Sequence, residues 1–167
     1  MKKGFIIIAT LLFASMMCGC YEDVINYTNF NTAIYEQTFS NGTYTHVQSA
    51  EVYAFAADTT KWKVASLEDA QAHIITNKLT GEKRDMPDAF GSFNPSQEYQ
   101  SSVRLEQEMS MIVIVLPESG IYAYRNYQLP ENLEKVDTKL YIAHWRPSHN
   151  IAGWRVVNEG YTPPSAE

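Results

Sequence analysis

The chain has 167 residues, a formal net charge of −6 and only 2 cysteines. No basic run or patch occurs, which excludes the electrostatic footprint of a nucleic-acid binder. Both cysteines, Cys18 and Cys20, stand near the amino terminus, so the remainder offers no disulfide, no thiolate nucleophile and no thiolate metal site.

Lys2 and Lys3 precede an apolar run over residues 5–17. That run has signal-peptide size and is too short for a comfortable membrane span. It ends in Met17-Cys18-Gly19-Cys20, which resembles the lipobox of a bacterial lipoprotein precursor: a small residue, Gly19, directly before a cysteine, Cys20. Met17 and Cys18 depart from the leucine and small residue usual there, and cleavage before Cys18 would need Met17 at the small-residue position. The resemblance implies that residues 1–19 are a removed signal peptide. It also implies that Cys20, as first mature residue, carries a diacylglycerol on its sulfur, giving membrane attachment without a spanning helix. An ordinary secretory signal or an uncleaved anchor is the alternative. Loss of Lys2 and Lys3 takes the charge to about −8. Anionic membrane surfaces repel such a domain, so the lipid alone would hold it there. Tyr21-Glu22-Asp23 resembles the acidic surface-export signal of Bacteroidetes-type lipoproteins, which implies an outer-membrane lipoprotein facing the cell surface in preference to the periplasm.

Residues 20–31 are polar and are expected to form a lipidated tether. A first strand is expected over residues 32–39, a hairpin turn at Asn41-Gly42, where both residues tolerate positive φ, and a return arm over 43–47. Residues 50–56 alternate, placing Val52, Ala54 and Ala56 on one face and Tyr53 and Phe55 on the other. Asp58-Thr59-Thr60 is a polar turn. A short strand over 62–64 leads to Ser66-Leu67-Glu68-Asp69, which has capping-box spacing and an acidic first turn, predicting one short helix near 66–73. Residues 74–78 return to strand and 79–82 turn around Gly81. Pro87, Gly91 and Pro95 make 85–97 an expected long irregular connection.

The organising stretch follows. Met111-Ile112-Val113-Ile114-Val115-Leu116 is apolar at every position, the pattern of a strand covered on both faces. Pro117-Glu118-Ser119-Gly120 is a turn, and residues 121–127 form an aromatic-rich partner strand. The expectation is a hairpin at the centre of a sheet, paired with an alternating strand over 99–108. Later strands are expected over 138–145 and 150–157, with a loose tail over 161–167. No repeat or second core is present, so residues 32–160 form a single domain.

Two stretches, Ser49-Ala50-Glu51-Val52-Tyr53-Ala54-Phe55 and Ile74-Ile75-Thr76-Asn77-Lys78-Leu79-Thr80-Gly81-Glu82, resemble the prealbumin-like β-sandwich of transthyretin-like and carboxypeptidase-regulatory-like domains. The whole is similar to small Bacteroidetes lipoproteins. The resemblance implies a mainly β, antiparallel, prealbumin/Ig-like sandwich, and a supporting or binding role with no catalytic residue. The helix after Val64 departs from the simplest such pattern.

Chemistry-bearing patterns are few. His144 and His149 bracket a turn but have no third ligand nearby, so no metal site is expected. Glu106 and Glu108 lie two apart on one strand and face the same way, whereas paired glycosidase carboxylates face each other across a cleft. No nucleophile elbow or phosphate loop occurs, and no enzyme activity or cofactor is expected. The 3 tryptophans and 11 tyrosines suit a sandwich core, and exposed ones can stack on sugars or anchor a partner. Tyr122, Tyr124 and Trp145 are the candidate binding residues. The expected function is a lipid-anchored, non-catalytic binding or structural module with an envelope protein as partner, or alternatively a carbohydrate-binding module.

Overall fold

A computed structural model describes residues 27–37, 43–106, 109–129, 134–145 and 153–157. The first strands are β1 (Thr28–Gln37), β2 (Tyr44–His46), β3 (Glu51–Phe55) and β4 (Trp62–Lys63), followed by helix α1 (Leu67–Gln71), β5 (Ile75–Asn77) and β6 (Lys83–Arg84). Then come β7 (Ala89–Phe93), β8 (Ser101–Leu105), β9 (Met109–Leu116), β10 (Ile121–Gln128), β11 (Lys135–Trp145) and β12 (Gly153–Val157). β1 takes in residues 28–31 of the expected tether, and β11 starts three residues before the expected strand. The Asn41-Gly42 turn and the 161–167 tail lie outside the described residues.

The continuous apolar run of β9 has a physical cause in its surroundings. Ile112, Ile114 and Leu116 enter one buried cluster with Phe30, Ile34, Val103, Leu140 and Ile142. Met111, Val113 and Val115 enter a second with Tyr53, Phe55, Val64, Ala70 and Ile75. Neighbouring β3 divides in the same way, Val52 and Ala54 into the first cluster and Tyr53 and Phe55 into the second, as its alternation predicted. Each fully buried side chain of this size contributes roughly 1.5–3 kcal/mol of transfer free energy. β9 and β10 form the expected hairpin, Leu116 opposite Ile121, with Gly120 in the left-handed region at φ 64°. It does not stand at the sheet centre: strand order is β10-β9-β3-β7-β8-β1-β11-β12, with β2 on β1. The apolar run comes from layers above and below, not from a central position.

β7 is the corner of the fold. Its first half pairs with β3 (Tyr53 opposite Phe90) and its second half with β8 (Gly91 opposite Val103). One strand thus passes between the two sheets that enclose the first cluster. The expected loop over 85–97 is therefore corrected. Glycine reads locally as a breaker, but a Cβ on Gly91 would stand 2.7 Å from Val103 Cγ2 and 3.1 Å from the Val52 carbonyl oxygen. The turning strand needs that close approach. β8 pairs with β1 and β7, not with the hairpin. β1 runs parallel to β11, Ile34 opposite Leu140, the exception in an otherwise antiparallel, mainly β, sandwich-like architecture. Gln100 locks this region: its side-chain Oε1 accepts from the Ile34 N–H at 3.1 Å and its Nε2 donates to the Val47 carbonyl.

The segment between β3 and β7 caps the outer side of the hairpin sheet. It contains α1 and the small sheet β4-β5-β6, and its Val64, Ala70 and Ile75 complete the second cluster. α1 is shorter than expected, starting where Ser66 Oγ accepts the Asp69 N–H at 3.0 Å. Asp69 reaches Lys83 at 3.3 Å. Two polar knots fasten the cap. Asp88 accepts both Arg84 contacts at 2.7 Å and the Ala56 N–H at 2.6 Å. Asp58 Oδ1 accepts from the Thr60 N–H and from Asn126 Nδ2 on β10, both at 2.8 Å.

Candidate functional site

On β10, Ile121 and Ala123 point into the first cluster while Tyr122 and Tyr124 point to the cap. The next positions on the inward face are Arg125 and Tyr127. A charge arriving where alternation demands an apolar residue marks the end of the packed core, and a groove opens there. It has a volume of about 560 Å³, with walls formed by residues 125–128 of β10 and 137–141 of β11, and Tyr99 also lines it. That volume falls in the range of roughly 300–1,000 Å³ usual for ligand sites.

Aromatic surface and charge share the groove. The Tyr127 ring rests on Phe30 at 5.0 Å between centroids, with the Arg125 guanidinium 6.0 Å from the Tyr127 centroid. Burial pushes the Tyr127 hydroxyl above the ordinary tyrosine range, and Arg125 pulls the other way. On the opposite wall Asp137 accepts from Lys135 at 2.9 Å and from Asn31 at 2.8 Å. These bonds, Lys135 first, hold its carboxyl below the usual range, and the same contact raises Lys135. Lys139 is exposed. The arrangement can hold an extended or ring-shaped ligand by stacking and hydrogen bonding.

A second feature sits where α1 ends. His73 adopts φ 57°, the single non-glycine residue with positive φ among the described residues. A side chain in that region costs about 1–3 kcal/mol unless its surroundings hold it. Here the imidazole is wedged edge-on between Tyr53 at 4.8 Å and Phe90 at 5.0 Å, with Nε2 3.5 Å from Glu51 Oε2. Phe90 is 59% exposed.

Of the residues singled out from sequence, Tyr122 and Tyr124 share one cluster. Tyr122 and Tyr124 are half-buried on the face of β10 away from the groove, packed on the second cluster. Burial, then Asp69, raises the Tyr122 hydroxyl. The Trp145 backbone stands opposite Gly153 at the end of β11, its side chain outside the described ones, as is that of His144. Cys20, Glu108 and His149 lie outside the described residues. Glu106 is exposed just past β8. Sequence reasoning missed Arg125, Tyr127, Lys139 and Phe90. The inward charge at Arg125 was a usable signal, but Phe90 was hidden because its strand read as a loop.

Compared with protein-family models, curated proteins and solved structures, the chain has no significant match. Among the described residues no group of three or more His, Cys, Asp or Glu side chains could hold a metal ion. None of their helices is long and apolar enough to cross a membrane.

Proposed function

We propose that the protein is a lipid-anchored, non-catalytic binding module of the bacterial envelope, displayed at the outer-membrane surface and serving as an accessory to a protein complex. The observation that carries the binding role is the groove between β10 and β11, which combines tyrosine surface, a guanidinium and an exposed lysine. The Met17-Cys18-Gly19-Cys20 junction and Tyr21-Glu22-Asp23 support the anchor and its surface address. Two measurements in cells test the reading. Protease shaving should remove a carboxy-terminal tag from intact cells, and Cys20→Ala should release the chain from the membrane fraction. A photo-crosslinking residue at Lys139 should yield a discrete adduct that the same probe at Glu118, in the exposed β9–β10 turn, does not. A protected tag removes the surface address, retention of Cys20→Ala in the membrane removes the lipid anchor, and a blank at position 139 removes the groove.

A carbohydrate-binding module is the second reading. It is favoured by Tyr99 and Tyr127 beside polar groups in the groove, and by exposed Phe90 next to His73 and Glu51. A polysaccharide panel read by intrinsic fluorescence decides it: a response lost on Phe90→Ala or Lys139→Glu supports it, and silence across the panel eliminates it.

A further inference from the structure

We propose that Phe90, His73 and Glu51 form a docking notch for an arginine side chain presented by a partner polypeptide, its guanidinium stacked on Phe90 and paired with the Glu51 carboxylate. The notch is separate from the groove between β10 and β11 and gives the binding module a second contact surface.

The notch begins where β7 leaves β3. Phe90 stands directly opposite Tyr53, and from Gly91 onward β7 pairs with β8. Glu51 lies two residues from Tyr53 on the same face of β3, so Glu51 and Phe90 are diagonal neighbours at a spacing of about 7–8 Å. The His73 imidazole stands between them, its ring 5.0 Å from Phe90 and its Nε2 3.5 Å from Glu51 Oε2. Both outer members face water, Phe90 at 59% and the Glu51 side chain at 55%.

His73 is held there against its backbone preference. α1 closes with the His73 N–H on the Ala70 carbonyl at 3.1 Å and the Ile74 N–H on the Asp69 carbonyl at 2.7 Å. These are the paired bonds of a Schellman turn, whose left-handed position is ordinarily glycine; here it is a histidine at φ 57°. The Tyr53 hydroxyl donates to the same Ala70 carbonyl at 2.7 Å, which ties the end of the helix to the ring beneath the imidazole. His73 Nε2 is buried and makes no hydrogen bond. A strained residue that satisfies nothing at this nitrogen points to a positioning role: His73 props Phe90 away from the Tyr53 ring, 6.3 Å distant, and beside Glu51.

Charge names the ligand. Among the described residues Glu51 has no ion-pair partner but His73, and that contact is not a hydrogen bond. Arg84, on neighbouring β6, is taken by both Asp88 oxygens and lies over Phe55. The chain as a whole carries −6. An exposed ring beside a carboxylate left in this state favours a cation over a neutral sugar, and a planar cation over a compact one. A guanidinium stacks flat on an aromatic ring while its fork of N–H groups meets a carboxylate; a lysine ammonium is a point charge and cannot do both.

The test is two-dimensional NMR of the intact lipid-anchored chain in detergent micelles, which registers even millimolar binding. Three capped pentapeptides are titrated that differ only in a central arginine, lysine or citrulline between leucines; citrulline keeps the shape of arginine without its charge. The arginine peptide is expected to shift the amides of residues 51–53, 72–74 and 89–91, and the other two to bind about three- to tenfold more weakly. Glu51→Gln, at an exposed position, should erase the preference for arginine over citrulline, and Phe90→Ala should weaken the arginine peptide by about threefold or more. His73→Gly supplies the residue usual at a left-handed position, so the spectrum should remain that of a folded chain while arginine binding falls; unchanged binding in that variant overturns the role given to His73. The proposal is overturned if the arginine peptide moves none of these amides at millimolar concentration, if arginine and citrulline peptides act alike, or if Glu51→Gln binds as the parent does. If laminarin, a neutral glucan, moves the same amides and the peptides do not, the notch takes sugar and the arginine inference fails. The groove has its own test in the adduct at position 139, so either surface can fail while the other stands.

Discussion

Gln100 bonds Ile34 and Val47 where the β1–β2 and β1–β8 ladders run out, and removing its side chain gives the sharpest energetic test of this fold. The residue is 1% exposed, with its amide held between the Ile34 N–H and the Val47 carbonyl. Both residues are themselves buried, so neither backbone group has ready access to water. Gln100→Met keeps most of the volume and removes both bonds. A buried backbone group left without a partner costs about 1–3 kcal/mol, and partial hydration near Val47 should reduce the second of the two. The expected loss is about 2–4 kcal/mol, a large fraction of the roughly 5–15 kcal/mol that holds a domain together. Urea unfolding followed by tyrosine and tryptophan fluorescence should show the midpoint falling by about 1–2 M at unchanged slope, given a slope of about 1–3 kcal/mol/M. Gln100→Glu adds a signed control. At neutral pH it still accepts from Ile34 but cannot donate to Val47, and acidification returns a donor and part of the stability. A Gln100→Met protein within about 0.5 kcal/mol of the parent would refute the account, since that is the scatter of an ordinary surface substitution.

Two further outcomes follow from the packing and the polar knots. Gly91→Ala should destabilise by about 1–3 kcal/mol through overpacking, because the new methyl meets a stiff valine side chain and a backbone carbonyl. A thermal midpoint unchanged by this substitution would mean that β7 turns its corner with room to spare. The Asp58 carboxyl is held below its ordinary value of 3.8, first by the Thr60 N–H and then by Asn126. A folded value below the unfolded one gives stability that is present above the unfolded pKa and lost as pH falls through the folded pKa. Asp58→Asn should therefore flatten the dependence of the thermal midpoint on pH in the window below about 4; identical acid profiles for parent and variant would remove Asp58 from the list of groups that fasten the cap.

The features legible in the chain one segment at a time are local. Period-two alternation assigned Tyr53 and Phe55 to one face of β3 and Val52 and Ala54 to the other, and the two buried clusters divide them in that way. The unbroken apolar run of β9, the turn ending in Gly120 and the Ser66 cap are likewise set by neighbours a few residues away. Pairing is a different matter, because a strand's own pattern says which face is buried but not which strand lies beside it. Long-range packing makes β1 run parallel to β11 and gives β8 to β1 instead of the hairpin. The same holds for Gly91, a breaker by local propensity and a strand residue through its contacts with Val103 and Val52, more than ten residues away on either side. The groove belongs to this class too. Its walls come from β10 and β11, which stand far apart in the strand order, and that order is not encoded in any one segment.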